Sequence, residues 1–83
     1  MIKTDKIAVV ILNWNGRDMM RRFLPSVVKN SQPEGCVIVA DNGSTDGSLQ
    51  MLTEEFPEVL QLPLPQNYGF AEGYNQALKQ IDA

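Results

Sequence analysis

Two uninterrupted apolar runs, Ile7-Ala8-Val9-Val10-Ile11-Leu12 and Cys36-Val37-Ile38-Val39-Ala40, constrain this chain more than any other feature. Neither alternates with polar residues, and both are rich in β-branched side chains. Such runs fit strands covered on both faces, as in a parallel sheet with helices above and below. Each run ends abruptly, the first in Asn13-Trp14-Asn15-Gly16 and the second in Asp41-Asn42-Gly43-Ser44-Thr45-Asp46-Gly47. Open α/β sheets bind ligands in the crevice beyond the carboxyl ends of their strands. Polar residues at these two ends are therefore the first candidates for a site.

Between the runs, Arg17 to Asn30 carries Met20, Leu24, Val27 and Val28 at helical spacing, with Arg17, Arg21, Arg22 and Lys29 mostly elsewhere on the wheel. Pro25 removes one helical hydrogen bond and clashes with the preceding turn, which predicts a kink or split near Arg22. Ser31 to Gly35, with Pro33, reads as the stop signal. After the second run, Ser44, Thr45 or Asp46 can cap a helix built on Leu49, Met51, Leu52 and Phe56 and ended by Pro57. Val59 to Leu62 is a shorter strand closed by Pro63 and Pro65, and Gln66 to Gly69 is a loop. Phe70 to Ile81 reads as a third helix with Ala71, Tyr74, Leu78 and Ile81 on one stripe. The order β-α-β-α-β-α calls for an α/β fold of the doubly wound class, a parallel sheet with right-handed crossovers. Three strands make half of such a fold. Residues 1–83 thus read as the amino-terminal portion of a larger domain, whose uncovered strand edge and helix faces would favour self-association.

Composition narrows the functions. A chain of 83 residues with net charge −3 and no basic cluster does not suit nucleic-acid binding. It contains no histidine, which excludes a Ser-His-acid or Cys-His mechanism within the chain and any His-ligated metal. The single cysteine, Cys36, lies inside an apolar run and reads as a small core residue. Lys3 and Lys6 precede the first apolar run, but Ile7 to Leu12 is too short for a secretory core, and no small-residue cleavage site follows. No apolar segment approaches the ~20 residues that cross a bilayer. The expected location is cytoplasmic, with membrane association left open for a full-length protein.

The strand ends suggest a ligand class. Neither G-x-G-x-x-G nor G-x-x-x-x-G-K-[ST] is present, so neither pyrophosphate cradle is supported. What stands after the first strand is an indole, Trp14, flanked by the amides Asn13 and Asn15. Trp14 has two roles open to it: a flat stacking face for a base, or packing into the first helix or an interface. Asp41, at the same end of the neighbouring strand, can only accept hydrogen bonds while ionised. It suits a base edge that offers N–H, such as the imide of uracil or thymine or the N1/N2 edge of guanine, unless it and Asp46 are plain loop and cap residues. After the third strand, Gly69 can supply a turn, Gly73 a close approach, and Asn67 and Asn75 amides for ribose, phosphate or sugar. Cap, turn and helix-packing roles stand as alternatives for these four.

Together, N-W-N-G, D-N-G-S-T-D-G-S and N-Y-G-F-A-E-G-Y-N resemble, in this order and spacing, the start of a family 2 glycosyltransferase of the GT-A fold, rhamnosyltransferase-like branch. The likeness runs from about Lys6 to the end of the chain. It implies a Rossmann-like, three-layer nucleotide-sugar-binding half-domain in an enzyme of cell-envelope polysaccharide synthesis. It places Trp14 on the base, with Asn13 and Asn15 beside it, and Asp41 hydrogen-bonded to the base. Asn67, Gly69, Gly73 and Asn75 would line the nucleotide-sugar side. The family's acidic metal motif and general base lie beyond residue 83. The resemblance therefore implies a divalent cation, Mg or Mn, held outside this stretch, and no catalytic residue within it. The expected function is transfer of a sugar, with inversion, from a UDP- or dTDP-sugar to a hydroxyl of a glycan, lipid-linked or protein acceptor. Residues 1–83 would bind the donor and be inactive alone. The competing expectation is a non-catalytic nucleotide- or protein-binding module.

Overall fold

The computed structural model describes residues 2–3, 6–31 and 34–82. In chain order the elements are β1 (Ile2–Lys3), β2 (Ile7–Asn13), α1 (Arg17–Ser31), β3 (Gly35–Asp41), α2 (Ser48–Glu55), β4 (Leu60–Pro63), α3 (Phe70–Leu78) and β5 (Ile81–Asp82). The two apolar runs are β2 and β3, paired in parallel from Ile7↔Gly35 to Asn13↔Asp41. β4 pairs in parallel on the other side of β3, from Ile38↔Leu60 to Asp41↔Pro63. The sheet order is β2-β3-β4.

β3 shows why a central strand lacks alternation. Val37 and Val39 enter a core with Met20 and Leu24 of α1, Met51 and Leu52 of α2, Phe56 and Val59. Ile38 and Ala40 point to the opposite face, into a second core with Leu62 and Ala77 of α3. Both sets of β3 residues are apolar because both faces are covered, which gives three layers: α1 and α2, the sheet, and α3. β2 divides in the same way, with Val9 and Ile11 against the first core and Ala8 and Leu12 against the second. Among the described residues β2 has a strand neighbour on one side only, and Ala8 to Leu12 are half-buried while Ile7 is exposed.

Several local expectations need correction. α1 runs unbroken from Arg17 to Ser31 through Pro25, so the split near Arg22 is not seen. The proline removes only the N–H that would reach the Arg21 carbonyl, and both residues lie on the exposed side where water can serve that oxygen. Meanwhile Met20 and Leu24 before the proline, and Val27 and Val28 after it, grip the same core. Pro33 of the expected stop lies outside the described residues. Gly35 is the first residue of β3 rather than part of a loop. A Cβ there would stand 2.6 Å from the Ser31 carbonyl oxygen, so only glycine lets the strand start this close under the end of α1. α3 stops at Leu78, and Ile81 belongs to β5, which pairs in parallel with β1 (Ile2↔Ile81, Lys3↔Asp82). Ile81 still packs on the second core, which accounts for its place in the apolar stripe.

The opposite positions of neighbours 24 and 25 make a direct test. Leu24→Ala empties a fully buried site and should cost about 2–5 kcal/mol of stability. Pro25→Ala, on the exposed face, restores a helical hydrogen bond and should raise the thermal midpoint. Melting curves of the two variants should move in opposite directions.

Candidate functional site

The register that pairs β2 with β3 sets Asn13 beside Asp41 at the carboxyl edge of the sheet. Both residues are buried, at 4% and 3% exposure. Asn13 Nδ2 donates to Asp41 Oδ1 at 2.9 Å and to Ser44 Oγ at 3.1 Å, while Asn13 Oδ1 accepts from the Gly16 amide at 3.0 Å. Asp41 Oδ2 accepts from the Ser44 amide at 2.9 Å. Asn13 has spent both its donors inside the protein, and each Asp41 oxygen holds one internal bond. Asn15 joins the same lattice, its amide donating to Ser44 Oγ at 2.8 Å and its Oδ1 accepting from the Thr45 amide at 2.7 Å. To do so it adopts φ 51°, a left-handed conformation that asparagine tolerates better than most residues.

Asp46 joins two helix starts. Its Oδ2 accepts from the Arg17 amide at 3.0 Å and its Oδ1 from the Ser48 amide at 3.0 Å, with the Ser48 hydroxyl also on Oδ1. One carboxylate thus serves the free N–H groups of both α1 and α2 and complements both helix dipoles. Burial works against its charge, but the hydrogen bonds from Ser48 and Arg17 outweigh it and hold the carboxyl below its ordinary value. The residue immediately before α2 is Gly47 at φ 82°, which has no side chain to cap with. The cap therefore falls to Asp46, one position earlier.

On the far side of Asp41, the buried Asn42 reaches the segment after β4. Its Nδ2 donates to Asn67 Oδ1 and to the Gly69 carbonyl, both at 3.0 Å, and its Oδ1 accepts from the Tyr68 amide at 2.9 Å. Gly69 takes φ 80° and ψ 177°, a region essentially confined to glycine. A Cβ at this position would meet nothing within 4 Å, so its backbone faces open space.

Leu12, Trp14, Asn42, Asn67, Gly69 and Phe70 line an open cleft of about 370 Å³. Its two rings are exposed, Trp14 by 57% and Phe70 by 76%. Trp14 leaves more than half of its surface open, while its other side borders a hollow shared with Met19, Met20 and Phe23 of α1. Asn67 Oδ1 accepts from Asn42 and from the Gly69 amide at 2.8 Å, whereas its Nδ2 has no partner among the described residues. The cleft thus offers an aromatic wall, an amide donor and bare backbone. It gathers Trp14, Asn67 and Gly69 of the expected residues. Asn13 and Asn15 line a smaller hollow of about 220 Å³ that shares Leu12 and Trp14. Asp41 lines neither. Gly73 is on the buried face of α3, where a Cβ would stand 2.9 Å from Asn42 Nδ2 and 3.1 Å from both Leu12 methyls, so it acts in packing. Asn75 is exposed on α3 and does not line the cleft. Leu12, Asn42 and Phe70 were not singled out from the sequence, although Asn42 and Phe70 sit inside its motifs.

No group of three or more His, Cys, Asp or Glu among the described residues could hold a metal ion. Nor is any helix among them long and apolar enough to cross a membrane.

A three-layer parallel sheet with a cleft at its carboxyl edge is the arrangement in which open α/β proteins bind their ligands. The chain belongs to glycosyl transferase family 2, which it matches over residues 8–83. It is 33% identical over 78 residues to an N-acetylglucosaminyl-diphospho-decaprenol L-rhamnosyltransferase of Mycobacterium tuberculosis, covering 94% of this chain and 25% of that protein. It is also 33% identical over 86 residues to an undecaprenyl-phosphate 4-deoxy-4-formamido-L-arabinose transferase of Proteus mirabilis, covering 90% of this chain and 26% of that one. The fold is shared with a mannosyltransferase of Pyrobaculum calidifontis, solved with GDP-Man and Mn2+, at a TM-score of 0.76 and 22% identity over 90% of this chain and 24% of the other. The chain spans about a quarter of the length of the relatives it matches.

The double cap yields a pH-dependent test. With its folded value depressed, Asp46 contributes stability in full above the ordinary carboxylate value and loses it as pH falls through the lower folded value. Asp46→Ala should cost about 1 kcal/mol at neutral pH. The gap between variant and wild type should close below about pH 4 in denaturant titrations at stepped pH.

Proposed function

We propose that residues 1–83 form the donor-binding portion of a glycosyltransferase that moves a sugar, with inversion, from a UDP- or dTDP-sugar to an acceptor hydroxyl. The observation that carries this reading is the cleft itself: an exposed indole faces it beside a free Asn67 amide and the bare backbone of Gly69. Trp14 stacks on the base, an interaction worth about 1–3 kcal/mol in nucleic-acid systems. Asn67 Nδ2 and the Gly69–Phe70 backbone address the ribose or diphosphate. Asp41 is 3% exposed and lines neither hollow, yet it keeps a second lone pair on each oxygen, which we assign to the N–H edge of a pyrimidine. It also ties the Asn13 and Ser44 loops that hold Trp14 in place.

The relatives act on polyprenyl-linked substrates by name, which favours a lipid-linked acceptor and a cytoplasmic enzyme working at the membrane surface. The described residues do not fit a cation. A divalent metal, if used as in the mannosyltransferase of shared fold, takes its ligands from parts of the full-length protein outside them. The catalytic half lies there too, and this portion alone is inactive.

Titration of the full-length protein with UDP, dTDP, GDP and ADP, followed by Trp14 fluorescence, should show preference for one of the first two. No fluorescence response to any of them removes Trp14 from the site; a preference for GDP overturns the pyrimidine assignment. The role of Asp41 is separable from its loop contacts by changing the ligand. UDP methylated at N3 cannot donate to a carboxylate, so wild type should bind it about tenfold more weakly than UDP. Asp41→Ala should bind both ligands alike.

A further inference from the structure

We propose that Asn42 is a positioning residue for this cleft, setting the wall formed by residues 67–69 through its side-chain amide. The inference rests on the nucleotide reading above. The segment from Asn67 to Gly69 precedes α3 and belongs to no strand. Asn42 ties it to the sheet: its Oδ1 takes the Tyr68 amide while Nδ2 reaches Asn67 Oδ1 and the Gly69 carbonyl, which also accept from the Gly69 and Gly73 amides in turn. Asn42 is itself anchored to the sheet, since its backbone amide donates to the Asn13 carbonyl at 2.7 Å. At 2% exposure it has no freedom to turn outward.

The contacts behind it matter as much. Gly73 and the Leu12 methyls close the space on the α3 side, leaving no room for the amide to retreat: a Cβ on Gly73 would already stand 2.9 Å from Asn42 Nδ2. The position of β3 is thereby passed to the wall with little slack. Asn42 also lines the cleft, but both Nδ2 and Oδ1 are engaged with that wall. It acts on a nucleotide through Asn67 and Gly69. The position requires two donors and one acceptor at once, which an amide supplies and an ionised carboxylate does not.

Asn42→Asp keeps size and the acceptor for Tyr68, but turns an oxygen toward two acceptors. At about pH 8 this variant of the full-length protein should bind UDP or dTDP about tenfold more weakly than wild type. Lowering the pH protonates the introduced carboxyl, which can then donate to Asn67 or Gly69. The ratio of wild-type to variant affinity should therefore shrink toward one, measured by calorimetry on protein shown to be folded at each pH. An equal affinity at about pH 8, or a loss that pH does not relieve, overturns the assignment. Wild type that binds none of UDP, dTDP, GDP and ADP brings down the cleft reading, and this inference with it; wild type that binds alongside an unaffected variant brings down this inference alone. One measurement needs no variant. Saturating UDP or dTDP should slow hydrogen exchange at the Tyr68 amide of wild type, and unchanged exchange overturns the coupling.

Discussion

The hydrogen bond from Asn13 to Asp41 is the interaction on which the carboxyl edge of this sheet depends. It joins two polar side chains buried where two apolar strands run out. Burial without partners would cost each group several kcal/mol, so the chain on either side must return to satisfy them. Gly16 comes back to Asn13, and Ser44 comes back to both. Those closures bring the two loops into contact, place Asn15 on Thr45, and set Asp46 over the starts of α1 and α2. Among the described residues no buried side-chain nitrogen or oxygen is left without a partner.

The site follows from this closure as a division of labour. Asn13, Asn15, Asp46 and Asn42 hold loops to one another, and their donors and acceptors are largely spent on that task. Trp14, Asn67, Gly69 and Phe70 are left facing the cleft. The polar network makes rigid what the exposed groups present. A ring on an untethered loop would order its backbone when it stacked, whereas the backbone that carries Trp14 is already tied on both sides through Asn13 and Asn15.

Much of the fold was legible because it rests on period. β2, β3, α1 and α2 follow from apolar runs and helical spacing, and the two faces of β3 explain why its run does not alternate. Element ends were less legible. Gly35 looks like a stop and is a strand residue, because only the nearness of Ser31 shows what the missing Cβ is for. Ile81 falls on the α3 stripe yet pairs with Ile2, since a two-residue strand has no period to read. Pro25 stays within a helix because packing on both sides of it outweighs one lost hydrogen bond.

The sequence by itself determined the class of fold, the strand ends at which polar residues gather, and the family, because periodicity and spaced motifs are properties of the linear chain. It could not decide which of those polar residues face a ligand and which face one another. Asp41, Asn42, Gly73 and Asn75 all sit in the motifs. Only the register of β2 on β3 and the passage of α3 over Leu12 bury the first three and leave Asn75 outside the cleft. Hydrogen-bond partners lie 25 to 31 residues apart across these loops, and no local pattern encodes which of them meet.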